Sequence, residues 1–273
     1  MIPASHEEPA VTDALPASPP RKQRPPPKEA FIDGIEHVTP GVIRISCSGP
    51  ELAQFATPKP GGHIKLFFPP SGVVWPSADP DIPRPPSRTY TPRRFDPAQN
   101  RLEIEFVRHG EGLASTWAER ARIGERMLIG GPGGGYVPPE DLRSIVIIAD
   151  ESAMPGAGMV LEALAPGCSV QVICEVAGAA EERTLSPIVA CQPLCLHRKD
   201  KTTQPGALVE ETVRAMPAPS SDTFWWVACE AAAMRRIRDM LITQHGVERA
   251  RLHMRGYWKF GEANHPDHDY GAD

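Results

Sequence analysis

SIVIIAD, residues 144–150, runs directly into ESAMPGAGMVLEALA, residues 151–165, and this stretch decides the fold. Between Ser144 and the closing acid every residue is apolar, so the strand they predict is buried on both faces. The residues after it have the small and apolar spacing of a helix packed against that strand. The same grammar continues downstream. SVQVICEV (169–176), PLCLHR (193–198) and TFWWVACE (223–230) are further apolar strands, and the last leads into the helical AAAMRRIRDMLITQHG (231–246). Apolar strands alternating with helices predict a parallel sheet covered on both sides, an α/β unit.

Upstream of Tyr136 the pattern is different. VIRISCSG (42–49), HIKLFFPP (63–70), SRTYTPR (87–93), RLEIEFVRHG (101–110) and ERMLIGGPGGG (125–135) are short strands separated by Pro/Gly turns. In RLEIEF the apolar Leu102, Ile104 and Phe106 alternate with Arg101, Glu103 and Glu105, which predicts one buried and one wet face. Several such strands in succession predict an antiparallel barrel. LASTWAERARIG (113–124) interrupts them as a helix, with Leu113, Trp117 and Ala121 stacked four apart. The expected fold class is therefore β-barrel plus α/β. Its domains are a Pro-rich disordered tail over 1–29, a barrel over 30–139, an α/β domain over 140–262 and a polar tail over 263–273.

Composition narrows the function. With 32 prolines in 273 residues, a helix bundle is excluded, because each interior proline removes a helix hydrogen bond. Eight of those prolines fall in the first 29 residues. A net charge of −5 argues against bulk nucleic-acid binding, and no apolar run is long enough to span a membrane. The start, MIPASHEEPAVTDALP, has early acids and no signal-like apolar core, so a cytoplasmic protein is expected. Its six cysteines read as reduced, most of them in apolar runs where a thiol is a small core residue. Neither the Cys191/Cys195 pair nor the terminal His265-Pro266-Asp267-His268-Asp269 reads as a metal site, and a monomer is the default.

Two barrel-side segments carry chemistry. In Arg88-Thr89-Tyr90-Thr91-Pro92-Arg93, an Arg, an aromatic and a hydroxyl are expected on one strand face. A flavin dinucleotide needs a cation for its pyrophosphate, a flat ring for its isoalloxazine and a donor near N5. Taken alone, the segment reads equally as an edge strand with a cross-strand aromatic. His109-Gly110-Glu111-Gly112-Leu113-Ala114-Ser115 is a glycine turn entering a helix, where backbone N–H groups approach a phosphate; alone, it is an ordinary capped turn. Residues 84–108 hold six arginines against three acids, a local +3 that predicts an anion-receiving surface.

The order R-x-Y-T-x-R, HG-x-G-x-AS-x-W, ADE-S-A-x-P and GYW-K-x-G resembles the siderophore-interacting protein family, flavin-dependent ferric-siderophore reductases of the ferredoxin–NADP reductase superfamily. The match covers about residues 31 to 262. The resemblance implies FAD, with NADPH or NADH as electron donor and a ferric siderophore as small-molecule substrate. Arg88, Tyr90, Thr91, His109, Gly112, Ala114 and Ser115 would hold the flavin. Asp150, Glu151, Ser152, Cys229 and Glu230 would face the nicotinamide, with Cys229 standing where relatives carry glycine. Tyr257 and Trp258, after the final strand, would cover the cofactors. Lys65 and Lys259 would hold the chelate's charge, and Arg183, Arg198 and Lys199 are candidates for a 2′-phosphate. No side chain is catalytic in the strict sense, because the flavin carries the electrons. Two alternatives stand beside this reading: a reductase serving a protein partner such as a ferredoxin, and a flavoprotein that binds the chelate without turning it over.

Overall fold

Strict alternation makes Leu102, Ile104 and Phe106 fully buried, and they seed the core of an antiparallel sheet. The computed structural model describes residues 25–77, 79, 81–200 and 202–265. Most of the expected N-terminal tail and the segment from Pro266 to Asp273 lie outside the described residues.

Seven strands form the first sheet: β1 (Lys28–Thr39), β2 (Val42–Ser48), β3 (His63–Phe67), β4 (Ser87–Tyr90), β5 (Pro92–Asp96), β6 (Arg101–Val107) and β7 (Arg126–Gly133). Their order is β4-β3-β7-β1-β2-β6-β5, and every pairing is antiparallel. The two edge strands, β4 and β5, are consecutive in sequence. Thr91 alone separates them, so the barrel-like sheet returns on itself at that residue. The single strand expected over 87–93 is thus two strands with a break at Thr91. β1 was not anticipated, and it begins at Lys28, inside the stretch expected to be tail. Helix α1 (Leu113–Arg120) buries Ala114, Ser115 and Ala118 against this sheet.

The second sheet is parallel, in the order β10-β9-β8-β11-β12. Its strands are β8 (Ser144–Asp150), β9 (Ser169–Val176), β10 (Leu194–His197), β11 (Phe224–Glu230) and β12 (Leu252–Trp258). Alternate side chains go to opposite faces. Ile145, Ile147 and Ala149 pack with α2 (Met154–Glu162), while Val146 and Ile148 pack with α3 (Ala207–Ala215) and α4 (Ala231–Thr243). Helix α3 escaped the sequence reading because it follows Pro205-Gly206 and has no polar cap of its own. Glu175 of β9 supplies that cap, accepting from Gly206 N at 2.8 Å and Leu208 N at 3.2 Å.

One expectation fails instructively. Glu105 was placed on the wet face of β6, yet it is only 6% exposed. Its carboxylate binds Arg44 Nη2 of β2 at 2.8 Å and Arg183 Nη2, from beyond β9, also at 2.8 Å. The second half of the chain covers that side of the barrel.

Candidate functional site

The Thr91 break places the flavin-like motif where the barrel closes. Register pairs Ile64 with Tyr90 and Leu66 with Arg88, so Arg88 and Tyr90 share a face. Thr91 does not share it. It is buried at the turn between strands, which corrects the expectation that all three groups project together. The Tyr90 ring lies 4.5 Å from Phe106, which is 5.6 Å from Trp117 of α1. Trp117 in turn contacts Phe68 at 5.5 Å and donates from Nε1 to Glu125 at 2.7 Å. This aromatic row fixes β4 and α1 relative to one another, and burial pushes the Tyr90 phenol up. Arg88 folds back to donate to Ser87 O at 2.9 Å.

At α1 the glycine turn is built as the sequence suggested. Gly110 and Gly112 have φ of 77° and 87°, and a Cβ on Gly110 would meet nothing within 4 Å. Among the described residues no side chain caps the helix, so the N–H groups of its first turn remain available to an acceptor. Ser115 does not reach out with them. It is 2% exposed, and its hydroxyl accepts from His109 N at 3.3 Å, shaping the loop from inside. An open edge strand, a glycine cradle and an uncapped helix start fit a dinucleotide that brings a ring and a pyrophosphate.

In the parallel sheet, chain order reverses between β8 and β11, where open α/β sheets bind ligands at the carboxyl ends of their strands. Asp150, Glu151, Ser152, Cys229 and Glu230 all lie there, but their polar atoms hold the scaffold. Asp150 accepts from Ser152 N at 3.0 Å, from the Ser152 hydroxyl and from Trp258 Nε1 at 2.7 Å. Glu151 accepts from Ala177 N at 2.7 Å and pairs with Arg198. Glu230 caps α4 through Ala233 N at 2.8 Å and takes Phe260 N at 3.2 Å. Cys229 is buried and packs into the core under α4, where burial pushes its thiol up.

Burial, reinforced by the Glu151 charge, raises Asp150 from its ordinary 3.8 to about 6. Between those values the folded chain holds a proton that the unfolded chain has released. Asp150 therefore lowers stability as pH rises through that window, by about 3 kcal/mol in total. Asp150→Asn keeps an acceptor for Trp258 and is expected to remove this loss. Thermal unfolding from pH 4 to 8 should show the variant's midpoint rising above wild type between pH 4 and 6.

Tyr257 and Trp258, expected after the last strand, are inside β12. The Tyr257 hydroxyl is buried without a hydrogen bond of ordinary geometry, and Thr91 is a polar neighbour that opposes the rise burial gives its phenol. A Cβ on Gly156, in the first turn of α2, would come within 3.0 Å of that hydroxyl and 3.4 Å of Gly61 Cα. Tyr257 thus brings the crevice of the parallel sheet to the Thr91 break of the barrel.

The cations sort differently from expectation. Arg93, Arg101 and Arg108 pair with Glu162, Asp33 and Glu119, so the predicted +3 surface is largely neutralised. Lys259 pairs with Glu262 across an exposed turn. Arg183 is buried against Glu105, and Arg198 pairs with Glu151 and Glu175. Lys65 lies beside Thr89, with its Nζ 3.2 Å from the hydroxyl. The sequence reading missed His63 and Arg255, whose side chains approach at 3.4 Å across the two sheets. A Cβ on Gly133 or Gly134 would lie 3.0–3.1 Å from the His63 ring, so glycines there keep this surface flat. That run of glycines was the available signal.

Comparison with known proteins converges on one family. Residues 32–136 match the siderophore-interacting FAD-binding domain, and residues 142–261 match the siderophore-interacting protein family. An NADPH-dependent ferric-chelate reductase of Escherichia coli is 31% identical over 85% of this chain and 92% of its own length. The ferric vibriobactin reductase of Vibrio cholerae is 27% identical over 86% of this chain and 90% of its own. The crystal structure of a siderophore utilization protein from T. fusca superposes with a TM-score of 0.77 at 31% identity, covering 90% of this chain and 98% of that one.

Proposed function

The chain belongs to the siderophore-interacting protein family, and from that premise we infer that it is an FAD-dependent reductase that passes electrons from NADPH to Fe(III) in a siderophore. The approach of Tyr257 and Gly156 to Gly61 of the barrel side, with His63 of β3 3.4 Å from Arg255 of β12, supports this reading, because it brings the two candidate half-sites together. FAD, when bound, accepts a two-electron hydride and releases electrons singly to iron.

The residues supply position and field. The barrel unit, 30–139, takes the flavin. Its ring would lie along the open edge of β4 at Tyr90 and Thr91, with its phosphates toward Arg88 and the N–H groups after Gly112. The α/β unit, 140–262, takes the nicotinamide over the ends of β8 and β11, where the Asp150–Trp258 bond fixes the indole as one wall. Lys65 and Arg255, with His63 beside the flat glycine run, would face an anionic chelate, and Lys259, paired with Glu262 on an exposed turn, would add a further cation. Fe(II) binds hard oxygen donors more weakly than Fe(III), so reduction frees the metal. We place this step in the cytoplasm, performed by a monomer on a small chelate. Among the described residues no helix is long and apolar enough to cross a membrane.

Purified protein should be yellow, with a flavin spectrum that NADPH bleaches and a ferric siderophore restores. A colourless preparation that takes up no FAD would sink the proposal. A yellow protein reoxidised by a [2Fe–2S] ferredoxin but by no ferric chelate would favour the partner-protein alternative.

A further inference from the structure

Residues 179–185, which leave β9, form a strap pinned to the barrel at every second position. The Glu181 carboxylate accepts from the Thr39 hydroxyl at the end of β1, in space that a Cβ on Gly41 would enter at 2.8 Å. Arg183 reaches Glu105 of β6 at 2.8 Å. Leu185 O accepts from Arg93 Nη2 of β5 at 2.9 Å, and the same guanidinium holds Glu162 of α2 at 2.7 Å. Gly158 makes this last junction possible, since a Cβ there would stand 2.4 Å from Leu185 O.

Both ends of the strap lead to the candidate site. Arg93 is two residues from Thr91, and Ala177, just before the strap, donates to Glu151 in the Asp150 turn at 2.7 Å. The central pin is the most buried. The Arg183 side chain is 9% exposed and that of Glu105 is 3%, and the second Glu105 oxygen is already committed to Arg44. Among the described residues Arg183 Nη1 has no hydrogen-bond partner, and Glu105, through Nη2, is the carboxylate that holds the guanidinium.

We propose that Arg183 is a positioning residue: by locking the strap to Glu105, it sets the gap over which nicotinamide hands hydride to flavin. The proposal rests on the reductase reading above. Hydride transfer is steep in distance, and a displacement of 1 Å can cost about a hundredfold. Electron transfer from reduced flavin to chelate comes after the hydride step and does not cross the nicotinamide–flavin gap.

Arg183→Met and Arg44→Met each remove one cation from the same carboxylate, but only the first cuts the link between sheets. In stopped-flow mixing with NADPH, R183M is expected to slow flavin reduction by about tenfold to a hundredfold. R44M should stay near the wild-type rate. Photoreduced enzyme reoxidised by ferric citrate should be unaffected in both. In flavin-free protein, hydrogen exchange of amides 179–185 should accelerate in R183M alone. Wild-type flavin reduction in R183M, or equal slowing in R44M, would overturn the proposal. So would unchanged exchange over 179–185. Failure to bind FAD would instead defeat the reductase reading, and the exchange measurement would still judge the strap.

Discussion

Glu105→Ala is expected to destabilise the protein by about 3–5 kcal/mol, the usual result of removing one partner from a buried ion pair. The cost comes less from the lost attraction than from the charges left behind. Arg183 is nine-tenths buried with Glu105 as its carboxylate, and Arg44 would keep only the exposed Glu36. At such a loss the folded-to-unfolded ratio falls by roughly two to four orders of magnitude. Equilibrium urea unfolding should show a much lower midpoint. Glu105→Gln, which keeps an acceptor of the same shape, should fall between. Glu103→Ala, on the less buried neighbouring position of β6, should change the stability by roughly 0.5 kcal/mol or less. Equal effects at 103 and 105 would mean that the interface contributes nothing to the stability of β6.

Gly112→Val is expected to yield folded protein that no longer retains FAD. Gly112 has φ 87° and ψ 152°, a region that residues with a Cβ essentially do not occupy. A Cβ there would also press on the His109 ring at 3.0 Å. Forcing the residue into an allowed conformation swings the turn before α1 and redirects the N–H groups of the first helical turn. A loss of about 3 kcal/mol in binding corresponds to a Kd raised by more than a hundredfold. The absorbance ratio of flavin to protein after purification, followed by titration with FAD, measures it directly. Glu111→Ala, an exposed side chain in the same turn, should leave the ratio unchanged. Normal flavin content in Gly112→Val would remove this turn from the flavin site.

The sequence by itself determined the two architectures and their order. Period-two alternation in RLEIEF and unbroken apolar runs such as SIVIIAD report how many faces of a strand are buried, and that is a local property. It also determined the glycine turn before α1, because positive φ is written in the residue type. Partnership between distant groups is not written locally. Nothing near Glu105 indicates that Arg183, 78 positions later, will bury it, and nothing near Arg198 shows that Glu151 neutralises it. Thr91 leaves the face of Tyr90 because the barrel closes there, a consequence of all seven strands. Asp150, Glu151 and Glu230 face the nicotinamide by family resemblance, and folding also engages them as caps and ties, because a buried carboxylate takes the nearest N–H donors. Residue type and periodicity fixed what each segment would become. Which charges meet across the two sheets, and so how the half-sites face each other, was decided only when the sheets docked.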